Sequence, residues 1–376
     1  MKQAMIGGEI VALLEKQKGT CVSIIVPAHR LSPERRTDRE RLDKAIQQAK
    51  GYLLANYPPE EIKPLTEAID ELYKQVDFNH NEEGIGLFVA PGIQQLAHFF
   101  FPVKEKVMIS ESFEIRDLLY QDYYSRAYFV LMLSEQEAKL FQARSNTLEE
   151  IRDADFPIKN EDDYEYQRPI YGSAGGKNAF IKAVEKDKSE LEEIRYSTFL
   201  KKVDDGLNNH LTTDAPLIVT GAKKNLGYFN KVTLHAEHIS GLLPGNYGHH
   251  SSSELAGLIW PIMKSFMDDW KQQQIIEFQE KGGTGNYLTG LQDIWKAAQE
   301  GRGTRLLVEK DFSMPAFLAK DNDYQLYLHP PKGQHQILPD AINSLMETVL
   351  AKHGEVIILE NGALENFQRM VLVTRY

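Results

Sequence analysis

The residues that stand out chemically form one glycine-rich turn, which reads Tyr171-Gly172-Ser173-Ala174-Gly175-Gly176-Lys177. Adjacent glycines allow positive φ and let backbone N–H groups approach a partner closely. Because a long helix is predicted directly after the turn, these groups could bind an anion with support from the helix dipole. The turn matches neither G-x-x-x-x-G-K-[ST] nor G-x-G-x-x-G, so it is not a known nucleotide-binding loop. A flexible connector is the alternative.

The histidines are a second candidate, because zinc needs three or four converging nitrogen or oxygen ligands. Four of them lie close in sequence to two glutamates: His235, Glu237, His238, His249, His250 and Glu254. However, Val232–Leu234 has the pattern of a strand, and on a strand His235 and His238 would point to opposite faces. We therefore predict no metal site, with these histidines as surface and capping residues.

No nucleophile is placed for catalysis. A G-x-S-x-G motif is absent, and the single cysteine, Cys21, lies in an apolar stretch that predicts a buried strand. Ser251–Ser253 before Glu254 predicts a helix N-cap. The residue types alone thus predict no self-contained active site and no cofactor.

The elements that position these residues alternate between helix and strand. In the first part of the chain, Arg35–Leu54 and Glu60–Val76 have helical patterns, while Cys21–Val26 and Gly84–Ala90 have strand patterns. The order of elements over the whole chain predicts a mixed α/β (α+β) fold. The length of 376 residues suits three domains, which we place at residues 1–125, 126–267 and 268–376.

The net charge of −11 argues against a general nucleic-acid coat, which needs a positive surface. The charge is uneven: Ala28–Lys50 holds seven basic and four acidic residues, whereas Leu148–Glu165 holds eight acidic and two basic residues. Apolar runs are too short to span a membrane, and the N-terminus lacks a secretory signal. We therefore expect a cytoplasmic protein.

This three-part layout and its glycine turn resemble the bacterial archaeo-eukaryotic release factor families, within the class-one release factor and pelota superfamily. Gly19–Pro27 resembles the opening strand, and Thr37–Leu42 the entry into the following helix. Gly175-Gly176-Lys177 stands where release factors carry Gly-Gly-Gln. Glu300–Val308 and the terminal strands resemble kink-turn RNA-binding ribosomal proteins.

The resemblance implies a ribosome-associated translation factor whose middle domain is directed at the peptidyl-transferase centre. Its implied partners are the ribosome, tRNA and a translational GTPase or recycling factor. Lys177 replaces the glutamine, and an ammonium group donates hydrogen bonds but accepts none. The stop-codon motif of release factors, Asn-Ile-Lys-Ser, does not occur near Arg35–Lys50. We therefore expect rescue, recycling or recognition of stalled ribosomes, rather than stop-codon-dependent termination.

The resemblance assigns the catalytic tip to three residues: Gly175, Gly176 and Lys177. We expect rRNA contacts from five basic residues: Arg35, Arg36, Arg39, Arg41 and Lys44. The alternative is an exposed helix face on which they pair with neighbouring acids: Glu34, Asp38, Glu40 and Asp43. Two other functions stay open, a peptidyl-tRNA or other hydrolase that uses the glycine loop, and a non-catalytic RNA- or protein-binding module.

Overall fold

The computed structural model describes Ile10, Leu14 and residues 19–29, 33–79, 81–160, 193–211, 215–281, 286–319 and 322–375. These residues divide into two compact units. The first unit is Tyr124–Gln274, and the second combines the described residues up to Tyr123 with those from Ile275 onward. The division into three domains stays a prediction. Among the helices that the structure describes, none has both the length and the apolar character of a membrane span.

The N-terminal part of the second unit is an antiparallel sheet in the order β3-β2-β1-β4, covered by helices. The strands are β1 Cys21–Pro27, β2 Gly84–Ala90, β3 Ile93–Phe99 and β4 Lys106–Ser110. The helices are α1 Asp38–Asn56, α2 Pro59–Gln75 and α3 Arg116–Tyr124. Helix α1 buries one apolar stripe against the sheet, as its spacing predicts: Leu42, Ala45, Ile46, Ala49 and Leu53.

The first unit is built on a sheet in the order β10-β9-β5-β6-β7, with β8 also paired to β6. Strands β5, β9 and β10 run parallel, while β6 is antiparallel to β5, β7 and β8. The strands are β5 Ala127–Leu133, β6 Glu137–Arg144, β7 Thr147–Glu150, β8 Ile158–Lys159, β9 Leu217–Gly221 and β10 Ile239–Pro244. The helices are α4, described from 193 to 207, α5 Lys223–Val232 and α6 Ser252–Lys281.

The C-terminal part of the second unit has one sheet in the order β11-β17-β12-β16 and another in the order β14-β13-β15. The strands are β11 Tyr287–Leu288, β12 Gly303–Glu309, β13 Ala316–Ala319, β14 Asn322–Tyr327, β15 His335–Leu338, β16 Glu355–Leu359 and β17 Met370–Thr374. The helices are α7 Leu291–Gln299 and α8 Ala341–Ala351. The mixed α/β class predicted from the sequence is confirmed.

One local prediction is wrong. Val232–Leu234 does not form a strand, because helix α5 runs to Val232 and Leu234 is 85% exposed. Gly227 weakens the helical pattern of this segment in the sequence, because glycine is a poor helix former. Burial of Leu226 and Phe229 stabilises the helix instead. Cys21 packs as predicted: it is fully buried, and burial raises the pKa of its thiol to about 12.

Within the second unit, buried polar contacts join the segment before α3 to helix α8. The Asn343 amide accepts a hydrogen bond from the Ile115 backbone (3.0 Å) and donates one to the Phe113 carbonyl (2.8 Å). The same amide donates to Glu347 Oε1 at 2.6 Å. Burial raises the pKa of Glu347 to about 7, since water is excluded from the carboxylate.

Glu347 makes the stability of the protein depend on pH. The pKa of Glu347 in the folded protein lies above the ordinary value of 4.5. The contribution of this group to the free energy of unfolding is therefore fully present below pH 4.5 and is lost as pH rises through about 7. Glu347→Gln is neutral at every pH and keeps an oxygen for Asn343. We expect it to raise the free energy of unfolding by about 3 kcal/mol at pH 8 and to change little at pH 4. Urea denaturation at both pH values measures this, with exposed Glu365→Gln as the control; equal stability of Glu347→Gln and wild type at pH 8 contradicts it.

Candidate functional site

The predicted basic surface lies around the start of helix α1, which depends on one buried carboxylate. Asp38 is fully buried at the first position of the helix. Its Oδ2 accepts hydrogen bonds from the His29 backbone N–H (2.7 Å) and the Asn81 side-chain amide (2.8 Å). Its Oδ1 lies 2.8 Å from His29 Nδ1 and accepts from the Arg41 guanidinium at 3.1 Å. Both oxygens therefore hold the chain entering the helix.

Two of the five residues predicted to contact RNA are instead hydrogen-bonded to other segments of the protein. The Arg41 guanidinium is half-buried and donates to the Pro27 carbonyl (3.2 Å) as well as to Asp38. Arg35 is also half-buried and donates to the Asn79 carbonyl at 2.7 Å. Because these guanidinium groups connect separate segments, their charges support the fold locally.

The other three basic side chains are exposed to solvent. Arg39 donates to the Tyr73 hydroxyl (3.1 Å), and its guanidinium lies 5.6 Å from the ring centre of Phe78. The side chains of Arg36 and Lys44 make no hydrogen bond or ion pair with any residue that the structure describes. These two cations are therefore the ones best placed to bind an external phosphate.

Acidic side chains share this exposed face, as the alternative interpretation expects, and Asp43 interacts electrostatically with Arg39. Glu34, Glu40 and Asp43 form no ion pair with the residues that the structure describes, whereas Asp38 forms an ion pair with Arg41. We refer below to Arg36, Arg39 and Lys44 together as the basic surface.

In the first unit, the proposed catalytic tip, Gly175-Gly176-Lys177, lies outside the described residues. The structure describes the helix α4 that follows it only from 193 to 207, where it packs on the sheet through Leu200, Val203 and Leu207. The role of these three tip residues thus stays a prediction.

The histidines considered as zinc ligands are engaged elsewhere. His235 Nδ1 lies 2.9 Å from the buried Asp204 carboxylate, and His238 Nδ1 lies 3.0 Å from the Ala215 carbonyl. His250 packs edge-on against the ring of Tyr247. Glu254 accepts hydrogen bonds from Ser251, so it closes the start of α6 as the sequence predicts. Across the described part of the chain, these histidines form no cluster of three ligands with carboxylates.

Sequence reasoning missed a different cluster. Asp153, Asp155 and His210 each offer one ligand atom, and these three atoms lie within 4.8 Å of one another. The two aspartates lie in the connection between β7 and β8, residues 151–157, which we call the acidic loop, whereas His210 follows helix α4. The sequence pattern could not reveal this cluster, because the aspartates and the histidine are far apart in sequence.

Residues 127–302 match the family model of bacterial archaeo-eukaryotic release factor family 3. The resemblance predicted from the sequence is confirmed. The matched segment contains the glycine turn and most of the first unit, but it does not include the basic surface. No curated protein matches the chain significantly.

Three solved structures show weaker similarity. Pelota of Archaeoglobus fulgidus is 14% identical, with 78% of this chain and 79% of that chain covered and a TM-score of 0.37. Dom34 of S. cerevisiae, a translation termination-like factor that interacts with Hbs1, is 13% identical, with coverages of 78% and 79% and a TM-score of 0.39. Archaeal translation termination factor aRF1 is 13% identical, with coverages of 99% and 97% and a TM-score of 0.24. TM-scores below 0.5 give these likenesses no weight for function.

Asp38→Asn tests how the basic surface is positioned. An asparagine turns one acceptor oxygen into an NH₂ group that faces donors, whichever way the amide is oriented. We expect the substitution to lower the free energy of unfolding by about 3 kcal/mol, measured by urea denaturation. Asp43→Asn on the exposed face of the same helix is the matched control. A loss of the same size in both variants would show that Asp38 has no special role.

Proposed function

We propose that this protein is a ribosome-associated translation factor that acts in rescue, recycling or recognition of stalled ribosomes, rather than in stop-codon-dependent termination. The observation that carries the proposal is the match of residues 127–302 to a release factor family. Such a factor acts in the cytoplasm. Its partners in this proposal are the ribosome, tRNA and a translational GTPase or recycling factor.

The glycine turn is the part that we place at the peptidyl-transferase centre. Gly175 and Gly176 leave the backbone free to bring N–H groups close to the ester of peptidyl-tRNA, where they would stabilise a developing oxyanion. Lys177 differs from glutamine because its ammonium group cannot accept a hydrogen bond from water. The turn therefore keeps the backbone chemistry but lacks the acceptor that orients water, which favours recognition over fast hydrolysis.

The basic surface supports a second contact with rRNA. Phosphate binding needs cations whose side chains are not already bonded within the protein, and Arg36 and Lys44 have no hydrogen bond or ion pair among the described residues. Arg39 reaches the same surface while its guanidinium stays bound to Tyr73. We therefore assign rRNA contact to these three residues and a positioning role to Arg35 and Arg41.

Co-sedimentation with stalled ribosomes over a series of salt concentrations tests the proposal. We expect the wild-type chain to sediment with ribosomes at low salt and to dissociate as salt rises, because phosphate contacts release counterions. Arg36→Ala combined with Lys44→Ala should reduce the slope of log Kd against log salt by about two.

The matched control is Lys63→Ala combined with Lys74→Ala, which removes the same charge from exposed positions on helix α2. It should sediment like the wild type. If the wild-type chain stays at the top of the gradient at low salt with stalled ribosomes present, the proposed function is wrong. If both double variants lose binding equally, ribosome binding stands but the basic surface is not its site.

A further inference from the structure

The acidic loop between β7 and β8 is folded against the end of helix α4. Phe156 anchors the loop: its side chain is 1% exposed and lies edge-on to His210, with ring centres 5.7 Å apart. Asn209 donates to Asp155 Oδ2 at 2.8 Å, which links the loop to the same turn. These contacts bring His210 to face two carboxylates of the loop.

The Asp153 carboxylate is oriented by the backbone of its own loop. Asp153 Oδ1 accepts the backbone N–H groups of Asp155 and Phe156, both at 2.9 Å. Those two bonds hold the pKa of the Asp153 carboxyl below its ordinary value. Asp153 Oδ2 is left to face His210 Nε2 at 3.2 Å, and Asp155 Oδ2 lies 3.9 Å from the same nitrogen.

The imidazole nitrogen has no hydrogen bond, although a carboxylate oxygen lies this close. His210 Nε2 is shielded from solvent and has no partner with acceptable geometry among the described residues. An imidazolium bonded to Asp153 would point its N–H at Oδ2, and the observed geometry does not provide that bond. An imidazole nitrogen that faces two carboxylate oxygens at 3.2 and 3.9 Å, without a well-oriented hydrogen bond to either, is an arrangement that a shared cation would satisfy.

The distances also suit a metal. Ligand atoms that each lie about 2.1 Å from one ion are separated by about 3.0–3.4 Å at octahedral or tetrahedral angles. The separation of 3.2 Å between His210 Nε2 and Asp153 Oδ2 falls in this range. Asp155 Oδ2 lies slightly farther from the imidazole nitrogen, at 3.9 Å. An imidazole nitrogen together with two carboxylates favours a transition-metal ion over Mg²⁺ or Ca²⁺.

We propose that His210, Asp153 and Asp155 bind one divalent transition-metal ion of the Zn²⁺ class, with water completing its coordination shell. The ion would tie the acidic loop to the end of helix α4 and offset the charge of two carboxylates. This site differs from the histidine group at 235–250 that the sequence brought forward. It does not depend on ribosome binding, so the purified full-length chain tests it alone.

The experiment titrates Zn²⁺, and separately Co²⁺ and Mg²⁺, into the full-length chain by calorimetry, with the visible absorption of Co²⁺ as a direct readout of coordination. We expect binding of Zn²⁺ at this site with an increase in Tm, a Co²⁺ spectrum that reports mixed nitrogen and oxygen ligands, and weaker binding of Mg²⁺. Asp153→Asn and His210→Gln should each weaken Zn²⁺ binding at least tenfold.

The control is His235→Gln, since His235 is also held by an aspartate but belongs to no ligand cluster. It should bind Zn²⁺ like the wild type. Asp153→Asn keeps the Oδ1 acceptor that orders the loop, so the metal-free variant should have the same Tm as the metal-free wild type. A loss of Zn²⁺ binding in this variant would then not result from misfolding. Equal Zn²⁺ affinity in wild type, Asp153→Asn and His210→Gln would overturn the proposal, as would the absence of Zn²⁺ binding by the wild type.

Discussion

The buried carboxylate of Asp38 determines where the exposed positive charges of the N-terminal part can lie. A buried charge is tolerated only when its oxygens are fully bonded, and here each oxygen has two partners. These partners come from the end of β1, from helix α1 and from the segment before β2. The Arg41 guanidinium is hydrogen-bonded within this network, whereas Arg36 and Lys44 stay exposed. The exposed cations at this helix start are therefore those that the bonding of Asp38 leaves over.

A second buried network performs a comparable task in the same unit. Arg116 and Asp340 form an ion pair of 2.6 Å and are almost fully buried, and Asn343 bonds to the backbone on either side of Glu114. Removing either partner of such a pair leaves an uncompensated buried charge, so the contact specifies one arrangement of these two segments. The N-terminal and C-terminal parts of the chain thus share one unit even though the sequence between them forms another.

Sequence patterns predicted the elements that have strong periodicity. Strand Gly84–Ala90 has the predicted bounds, and the apolar stripe of α1 from Leu42 to Leu53 is buried as expected. Helix α5 and the sheet of β13–β15 were missed, because short strands and a glycine-containing helix have little local signal and depend on tertiary burial. The split among the five basic residues could not be predicted either, since it depends on distant partners such as Asn79 and Tyr73. The same holds for His210 and Asp153, which only the fold brings together.

We propose that the glycine turn and the basic surface act on the same ribosome. Cryo-electron microscopy of the full-length chain bound to ribosomes stalled with peptidyl-tRNA tests both parts at once. We expect Gly175–Lys177 beside the ester end of peptidyl-tRNA at the peptidyl-transferase centre, with Arg36 and Lys44 against rRNA phosphates. A bound chain whose glycine turn lies away from that centre, or a stalled ribosome with no bound chain at saturating concentration, would contradict it.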